Sequence, residues 1–446
     1  MTMNRGLEFL LAIGRRLRRS GTPLGSGRFR HRARPLRCEA LESRQLLSIT
    51  VESLTPTTSG FVAQFSDEVE TGTLNLYDAQ SGALGPADVV LEGATAGQIA
   101  GSIVVKGKEL TFIKTGGPLE ADTYTVTLRS AADGIIGKAL GELLDGDGDG
   151  VAGGNFVQTF SVAASQPLVV SLPDFACGPG QALSGPAEGS GVALTEGLPV
   201  RLNDAAGVTS VLLTIDYDPA LLTISGAELG AGAPDGSQVE VNVDTPGRVT
   251  VAVFSLAPLE SGSVDLVRLI GSVPESATYG AAHVLRISEL KVNAGAVEAT
   301  ADDALHAVAF PGDANANGNY DTEDARLIAR VGVGLDSGFA VAQPDAPVTS
   351  QLRHAYPTID PMIIGDVTGD GTLSPMDASD LLREVVGLPA PNIPSLPSAT
   401  SVNTATALTA STSSPVYGES LTFTATVSAT IPGGGVPAGS VVFKEG

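Results

Sequence analysis

Tryptophan is absent from this chain of 446 residues, and only two cysteines are present, Cys38 and Cys177. Two cysteines form at most one disulfide, so a disulfide framework is excluded. Aromatic residues account for only 4% of the sequence. If the protein is extracellular, a bound cation must provide the cross-linking that disulfides give to other secreted proteins.

Charged residues are also scarce, at 17% of the chain, whereas glycine and proline contribute 54 and 28 residues. Frequent turn residues favour short strands over long helices. Hydrophobic residues still make up 43% of the sequence, which is enough to fill several cores. We therefore predict a mainly β protein of about three domains, at roughly 150 residues each.

The charge is divided unequally along the chain. Residues 1–50 hold 11 of the 26 basic residues and only three acidic ones. The rest of the chain has 15 basic and 46 acidic residues, a formal net charge of −31. Such a body repels nucleic acid and anionic membranes and attracts divalent cations. We therefore expect no nucleic-acid partner.

The first 48 residues have the character of a targeting leader. Their apolar run, residues 7–13, is much shorter than the about 20 residues that span a bilayer, so no transmembrane segment is expected there. The sequence LESRQLLS at residues 41–48 resembles the LExRxLLS export motif of large bacterial surface proteins. This resemblance implies a secreted or cell-surface protein. The arginines alone would also suit a transit-like or nucleic-acid-binding arm.

Residues 49–163 alternate apolar and polar side chains in short runs, which is typical of an antiparallel β-sandwich. The sequence LEADTYTVTL at residues 119–128 resembles the corner of immunoglobulin-like domains, where a tyrosine hydroxyl bonds back to the chain. We therefore expect an Ig-like module in which Tyr124 makes that bond.

A second strand-rich block covers residues 166–310. Its segment Tyr217-Asp218-Pro219, followed by an apolar pair and then by Gly226, resembles the cohesin family. The resemblance implies a jelly-roll sandwich. Members of that family bind dockerin modules or belong to carbohydrate-associated assemblies.

The C-terminal part of the sequence has a different character. Residues 389–400 hold four prolines and are expected to form a stiff linker. Residues 401–446 resemble the first strands of a bacterial Ig-like repeat without the strands that would close it. We therefore expect this sequence to be part of a longer protein.

Residues 313–324 (loop 1) and 366–377 (loop 2) match the EF-hand calcium loop, which needs oxygen ligands at positions 1, 3, 5, 7, 9 and 12 and glycine at position 6. The glycines are Gly318 and Gly371. The predicted ligands are Asp313, Asn315, Asn317, Asn319, Asp321 and Asp324 in loop 1, and Asp366, Thr368, Asp370, Thr372, Ser374 and Asp377 in loop 2. We expect one Ca²⁺ ion in each loop.

Each loop leads into an amphipathic sequence of helical period, and residues 311–388 as a whole resemble the type I dockerin family. A single loop of this kind is often only a turn, because aspartate, asparagine and glycine also favour turns. Two complete loops, each followed by a helix, argue against that interpretation. The resemblance implies a calcium-dependent binding module whose recognition residues are Thr322-Glu323 and Pro375-Met376.

Two features depart from the dockerin pattern. Thr368 offers a neutral hydroxyl oxygen where the amide oxygen of asparagine or the carboxylate of aspartate is usual. This difference predicts weaker Ca²⁺ binding in loop 2. The loops start 53 residues apart, and we expect the additional residues, between Gly334 and Pro361, to form an irregular loop. The residues expected in the core of the module are Leu327, Ile328, Leu381 and Leu382.

A third acidic run consists of Asp145, Asp147 and Asp149. It matches the first half of a calcium loop but has Phe156 at position 12. A third Ca²⁺ ion and a plain acidic turn both fit this run.

No motif for catalysis is found in the sequence. The histidines lack metal-binding spacing, and no serine has the flanking glycines of a nucleophile elbow. Asp216 and Asp218 resemble a glycosidase pair only superficially, since a strand that enters a turn explains them. His283 and His306 are expected to be solvent-facing strand residues. We therefore predict that this chain is not an enzyme.

These patterns favour a secreted, non-catalytic assembly protein. Its dockerin-like module would bind a cohesin-bearing partner, and its cohesin-like block a dockerin-bearing one, in a polysaccharide-degrading or carbohydrate-binding setting. Polysaccharide as a direct ligand rests on family analogy alone. Two alternatives stay open: a surface adhesin with calcium-rigidified spacer modules, and the non-catalytic portion of a glycoside hydrolase.

Overall fold

The computed structural model describes residues 48–164, 168–186, 194–342, 352–397, 404–411, 420 and 422–429. Apart from Ser48, the expected leader lies outside the described residues, as do residues 398–400 of the expected linker. Strands predominate over helices within the described residues, which confirms the prediction of a mainly β protein. No helix among them is long and apolar enough to cross a membrane.

The first sandwich is built from strands between residues 49 and 161. They are β1 (Ile49–Pro56), β2 (Gly60–Phe65), β3 (Val89–Gly93), β4 (Gly97–Gln98), β5 (Gly101–Lys106), β6 (Glu109–Lys114), β7 (Thr123–Leu128), β8 (Leu144–Asp145) and β9 (Phe156–Ser161). One sheet has the order β5-β6-β2-β1-β8 and the other β4-β3-β7-β9.

One strand pair corrects the expectation of a purely antiparallel sandwich. Strands β1 and β8 run parallel, whereas the other paired strands of this sandwich that the structure describes are antiparallel. The chain crosses from the sheet of β7 to the sheet of β1 before it reaches β8. A crossover of this kind allows the short strand to run in the same direction as its neighbour.

Apolar side chains at every second strand position fill the core of the first sandwich. Tyr124, Val126 and Leu128 on β7 are buried, and the residues between them are more exposed. The Tyr124 hydroxyl donates a hydrogen bond to the carbonyl of Glu120 at 2.9 Å. The bond that the sequence predicted for this tyrosine is therefore present.

The second sandwich follows. Its strands are β10 (Leu168–Ser171), β11 (Phe175–Ala176), β12 (Ser184–Pro186), β13 (Leu194–Glu196), β14 (Leu198–Leu202), β15 (Ser210–Asp216), β16 (Thr223–Leu229), β17 (Gln238–Asn242), β18 (Arg248–Phe254), β19 (Val264–Ser272), β20 (Ala282–Val292), β21 (Ala299–Asp302) and β22 (Ala304–Ala307). The sheets are β16-β19-β14-β10-β21 and β11-β22-β20-β15-β18-β17, with β12 and β13 as a separate hairpin. A single 3₁₀ turn, Asn293–Gly295, follows β20.

The two ends of the second block lie side by side. Strand β10 pairs in parallel with β21, and β11 pairs in parallel with β22, so each sheet contains one parallel pair. Val249, Val251 and Val253 on β18 are fully or almost fully buried and alternate with more exposed residues. The chain therefore leaves the sandwich next to the point where it entered.

Residues 311–388, which contain loops 1 and 2 and are called the calcium-loop module after the sequence pattern of those loops, include the helices α1 (Thr322–Gly332), α2 (Pro361–Gly365) and α3 (Pro375–Val385). Helix α1 starts with a capping box from Asp321 and α3 with one from Ser374, which satisfies N–H groups that helix starts leave free. The module packs against the end of the second sandwich, because Leu305 and Ala307 share a buried cluster with the helices.

Three of the four expected core leucine and isoleucine positions are confirmed. Leu327 is 1% exposed, and Ile328 and Leu381 are fully buried. Leu382 is 41% exposed, so its expected core position is wrong. Leu381 occupies on α3 the place of Ile328 on α1, and the next residue of a helix lies about 100° around the axis.

The residues between the two loops form more regular structure than expected. Strands β23 (Ala340–Ala342) and β24 (Leu352–His354) pair antiparallel, and residues 343–351 lie outside the described residues. The expected irregular loop is therefore corrected: apolar residues such as Phe339, which is 2% exposed, hold this segment in the core of the module.

The same segment docks on the first sandwich. Backbone N–H groups of Leu76 and Ile103 donate to the carbonyls of Pro357 and Thr358, each at 2.9 Å. The Asp78 carbonyl accepts a bond from the Ser337 N–H at 2.9 Å. The additional length between the loops thus reaches a neighbouring module.

A final hairpin is described beyond the linker. Strands β25 (Thr404–Ala410) and β26 (Phe423–Ala429) pair antiparallel. Most of the remaining residues from 401 to 446 lie outside the described residues, so the Ig-like repeat there stays a prediction.

Candidate metal centre

Loop 1 is organised around two carboxylates. The N–H groups of Asn317 and Gly318 donate to the Asp313 carboxylate at 3.1 and 2.7 Å. At the other end, the Asp324 carboxylate accepts from the N–H groups of Asn315, at 2.9 Å, and Asp321, at 2.8 Å. The first and last predicted ligands are therefore held by the backbone of the loop they close.

Loop 2 has the same frame, in which backbone N–H groups of the loop hold its first and last carboxylates, 53 residues farther along the chain. The Asp366 carboxylate accepts from the Gly369 and Gly371 N–H groups, both at 2.8 Å. The Asp377 carboxylate accepts from the N–H groups of Thr368, at 3.0 Å, and Ser374, at 2.8 Å. Two segments that share few identical residues thus adopt the same loop geometry.

One buried oxygen in loop 1 lacks a partner. Asn315 is 5% exposed, and its Oδ1 atom has no hydrogen bond, while its amide nitrogen contacts the Asp321 carboxylate at 3.3 and 3.4 Å. A buried polar atom is normally satisfied. This oxygen stands at loop position 3, where a calcium loop places a ligand, so the residues present fit a hard cation bound by oxygen.

In each loop, burial disfavours the charged form of one end carboxylate. Burial raises the pKa of Asp324 to about 7, and the charges of Asp313 and Asp321 add to the rise. Burial also raises the pKa of Asp366, to which the charges of Asp377 and Asp370 contribute. A divalent cation between such groups would offset both the burial and the mutual repulsion.

Of the remaining predicted ligands, Asp321 and Ser374 are half-buried, and the exposed ones are Asn317, Asn319, Asp370 and Thr372. The Asp321 carboxylate accepts from the Asn317 side chain at 2.8 Å, and the Asn317 Oδ1 atom accepts from the Asn319 N–H at 2.8 Å. In loop 2, the Thr372 hydroxyl donates to the Asp370 carboxylate at 2.6 Å.

Thr368, the position that departs from the dockerin pattern, is used differently from Asn315. Its hydroxyl donates to the Asp377 carboxylate at 2.8 Å and contacts Asp366 at 3.2 Å. A hydroxyl that links these two carboxylates reduces their repulsion but offers a weaker ligand than an amide or carboxylate oxygen. Loop 2 is also more open, since Gly369, Asp370 and Gly371 are exposed.

Residues outside the loops support loop 1. The Tyr279 hydroxyl, from the second sandwich, donates to the Asp313 carboxylate, and the Tyr356 hydroxyl donates to the Asp313 carbonyl at 2.8 Å. Arg353 donates to the Asn315 carbonyl at 2.9 Å. The sequence analysis missed these three residues because they are far from the loop along the chain and belong to no motif.

The third acidic run lies at the rim of the first sandwich. The carboxylates of Asp145, Asp147 and Asp149 have oxygens within 4.8 Å of one another. Asp145, on β8, already accepts from the Gly148 and Gly150 N–H groups at 2.9 and 3.1 Å. These bonds make an acidic turn, and the third Ca²⁺ ion stays a prediction.

Two histidines expected on the surface are instead buried. His283 is 7% exposed and His306 is fully buried. The Asp218 N–H donates to Nδ1 of His283 at 3.0 Å, so Nε2 of His283 carries the proton that it shares with Nδ1 of His306 at 2.9 Å. Nε2 of His306 then donates to the Cys177 carbonyl at 3.2 Å. The expectation of solvent-facing histidines is wrong because the two residues are direct cross-strand partners on β20 and β22, and the ring of Phe175 stacks on the ring of His306.

Asp216 and Asp218, which superficially resembled a glycosidase pair, stabilise the second sandwich. Arg248 forms an ion pair with Asp216 at 2.6 Å, across β15 and β18. The Asp218 carboxylate accepts from the Ala220 N–H at 2.9 Å, which caps the turn that follows β15. Both side chains therefore have the structural role that the sequence favoured.

No protein-family model matches this sequence, and no curated protein matches it. Solved structures of cohesins share part of its architecture. A non-cellulosomal cohesin from Archaeoglobus fulgidus has 15% identity and a TM-score of 0.25, over 31% of this chain and 89% of that one. The sixth cohesin of scaffoldin B from Acetivibrio cellulolyticus, in complex with a mutant Cel5 dockerin, has 16% identity and a TM-score of 0.27, over 32% and 99%.

A third similar structure is the type I cohesin–dockerin complex Coh-OlpC–Doc435 from Clostridium thermocellum. It has 13% identity and a TM-score of 0.26, over 33% of this chain and 96% of that one. At these TM-scores the likenesses carry no weight in the functional argument, which depends on the residues of the loops themselves.

Proposed function

We propose that this chain is a secreted, non-catalytic assembly protein whose two loops bind Ca²⁺ and so hold a dockerin-like module in the form that binds a cohesin-bearing partner. The observation that carries the proposal is the repeated frame of carboxylates and backbone N–H groups, together with the unpartnered oxygen of Asn315. Ca²⁺ would supply charge neutralisation between the end carboxylates, which lets both helices pack.

The exposed face of α3 is the surface that suits a partner. Met376, at a position that the dockerin resemblance marks for recognition, is 68% exposed. Leu382 lies on the same helix and Val386 follows its last residue, and they are 41% and 67% exposed. Helix α1 offers less apolar surface, because Glu323 and Ala329 occupy its positions equivalent to Met376 and Leu382, while its C-cap Val333, like Val386, is exposed, at 57%. We therefore infer a single binding face on α3 rather than two equivalent ones.

The test is a calcium titration of the whole chain by calorimetry, followed by capture on immobilised type I cohesins with calcium or with chelator. We expect two bound ions and capture that requires calcium. A Met376→Asp variant should bind both ions and lose capture, whereas Thr422→Asp, at an exposed position of the tail, should keep both. Absence of calcium binding at millimolar concentration would contradict the proposal.

A second candidate function is a rigid surface spacer, and the docking of the calcium-loop module favours it. The module bonds to the first sandwich through Ser337 and packs on the second through Leu305. In that case calcium would stiffen a three-module unit without any partner. Two bound ions with no capture by any cohesin would support this function.

A further inference from the structure

One short stretch of chain holds both loop 1 and the first sandwich. The Tyr356 hydroxyl donates to the Asp313 carbonyl of loop 1 at 2.8 Å, and Tyr356 is only 3% exposed. The next two residues, Pro357 and Thr358, accept from N–H groups of the first sandwich, each at 2.9 Å. Because peptide units are planar and stiff, a displacement of Asp313 would also displace the contact with the first sandwich.

Helix α1 makes a second connection between loop 1 and the first sandwich. Asp324, the last predicted ligand, lies in the first turn of α1, and Arg330 lies in its last turn. Arg330 forms an ion pair with Asp336 at 2.6 Å. The Asp336 carboxylate also accepts from the Gln80 N–H of the first sandwich at 2.9 Å. Since the side chain of Asp336 is 1% exposed, salt screens this pair little.

A third connection runs through β24. Arg353 donates to the Asn315 carbonyl of loop 1 at 2.9 Å. The ring of the next residue, His354, contacts the Tyr77 carbonyl of the first sandwich. Three separate connections therefore join loop 1 to one neighbouring module.

Loop 2 differs from loop 1 in this respect. Among the described residues, the hydrogen bonds to the carboxylates of Asp366, Asp370 and Asp377 come from groups of loop 2 itself. No group of either sandwich donates to these carboxylates within that part of the chain. The two loops thus share a frame, but only loop 1 is held by a neighbouring module as well.

These connections make ion binding and docking depend on each other. Asp313, Asp321 and Asp324 place three carboxylates in one loop of twelve residues, and a cation offsets their mutual repulsion. The repulsion acts on Asp313 and on the first turn of α1, which are the points where two of the connections attach. By thermodynamic linkage, an effect of docking on ion affinity equals the effect of the ion on docking.

We propose that loop 1, and not loop 2, couples calcium binding to the docking of the first sandwich. An ion in loop 1 tightens the docking, and the docked sandwich raises the calcium affinity of loop 1. An ion in loop 2 changes neither. This inference rests on the proposed function only in the binding of Ca²⁺ by the loops, and it requires no cohesin-bearing partner.

The test is hydrogen exchange of single amides in the whole chain, with calcium or with chelator. The Gln80, Leu76 and Ile103 amides donate across the contact, each at 2.9 Å. Asp377→Asn leaves loop 1 as the calcium loop, and Asp324→Asn leaves loop 2. We expect calcium to slow exchange of the three amides about tenfold or more in Asp377→Asn, and less than about twofold in Asp324→Asn.

The reverse direction is measured by calorimetry. Asp336→Asn removes the ion pair with Arg330 and should weaken calcium binding about tenfold in the Asp377→Asn background, but not in the Asp324→Asn background. Arg330→Gln breaks the same pair from α1 and replaces this variant if Asp336→Asn does not fold. Asp235→Asn, at an exposed position of the second sandwich, removes the same charge and is the control.

The Arg129 amide reports unfolding of the first sandwich itself, because it donates to the Asp88 carbonyl at 2.8 Å within that sandwich. Equal slowing in both loop variants, or equal slowing of the Arg129 amide, would overturn the coupling, since calcium would then stabilise the chain in general. Two bound ions that leave the three contact amides unchanged would also overturn it. No calcium binding at all would contradict the proposed function as well, whereas calcium-dependent docking without capture on cohesins would support the coupling and contradict only the partner.

Discussion

At the scale of the residue, one buried carboxylate at the end of each loop determines which ions the loop can bind. Asp324 and Asp377 are both fully buried, and each accepts two backbone N–H groups of its own loop. A buried carboxylate needs a compensating charge or several hydrogen bonds. In these loops the N–H groups hold the side chain in place, and a cation would neutralise it.

We predict that Asp324→Asn reduces the number of bound Ca²⁺ ions from two to one, and that Asp377→Asn does the same for the other loop. The amide keeps the size of the side chain but removes the charge that a hard cation requires. Calorimetric stoichiometry of each variant and of the double variant checks this. Asp380→Asn, on α3 outside the loop, is the control and should retain two sites.

The buried histidine pair is a second feature at the scale of the residue. Burial lowers the pKa of His283 to about 4 and the pKa of His306 to about 3, and the neighbouring His283 contributes to the shift of His306. In the unfolded chain both titrate near 6.5. Between these values the unfolded chain binds more protons, so the contribution to stability is present above pH 6.5 and is lost as the pH falls toward 4.

We predict that the histidine pair destabilises the second sandwich at pH 5 relative to pH 7, by up to about 1.4 kcal/mol per pH unit for each histidine. The raised pKa values of Asp174 and Asp302 act in the opposite direction in both the parent and a histidine variant, so the contribution of the pair is the difference between the two proteins. The buried thiol of Cys177 reports opening of the sandwich through its rate of labelling with 4,4′-dithiodipyridine in a Cys38→Ser background. The double variant His283→Gln and His306→Gln should lose most of this dependence on pH. An equal dependence in the variant would contradict the role of the pair.

At the scale of the element, the chain between β19 and β20 reaches from the second sandwich into loop 1. The Tyr279 hydroxyl donates to the Asp313 carboxylate and accepts from the Phe310 N–H at 3.0 Å. One hydroxyl thus connects the sandwich, the chain that leaves it, and the first ligand of the loop. The position of Asp313 therefore depends on an element outside the module.

We predict that Tyr279→Phe weakens calcium binding in loop 1 about fivefold, since one hydrogen bond contributes roughly 1 kcal/mol. The measurement is calorimetry in an Asp377→Asn background, where loop 1 alone is expected to bind. Tyr217→Phe, in the same sandwich, is the control. Equal affinities of the two variants would show that the sandwich does not support the loop.

At the scale of the whole molecule, the segment between the loops joins the first sandwich to the calcium-loop module. Gly338 lies in this contact, where an added Cβ atom would come within 2.7 Å of Tyr77 Cβ and of the His354 ring. The His354 ring in turn contacts the Tyr77 carbonyl. A single methyl group at this glycine is therefore enough to separate the two surfaces.

We predict that Gly338→Ala releases the first sandwich from the module without unfolding either. Hydrogen exchange of the Leu76 and Ile103 amides should accelerate at least tenfold, because both donate across this contact. Gly226→Ala, where an added Cβ atom meets nothing within 4 Å, is the control. Unchanged exchange in Gly338→Ala would mean that this contact does not hold the modules together.

The sequence by itself determined the features that depend on neighbours along the chain. Alternation predicted the strands, the loop pattern predicted the repeated frame and the helix that follows each loop, and a ten-residue segment predicted the Tyr124 bond. These features follow from the backbone geometry of short segments, and side chains a few residues apart are enough to specify them.

Only the tertiary structure decided which surfaces meet. Three features join residues that are distant along the chain: the burial of His283 and His306, the support of Asp313 by Tyr279, and the docking through Gly338. A period of two residues gives the same pattern for a strand face that meets solvent and for one that meets another module. The exposure of Leu382 was not predicted for the same reason. The helical period shows which side chains share a face, but it does not show which neighbouring element covers that face.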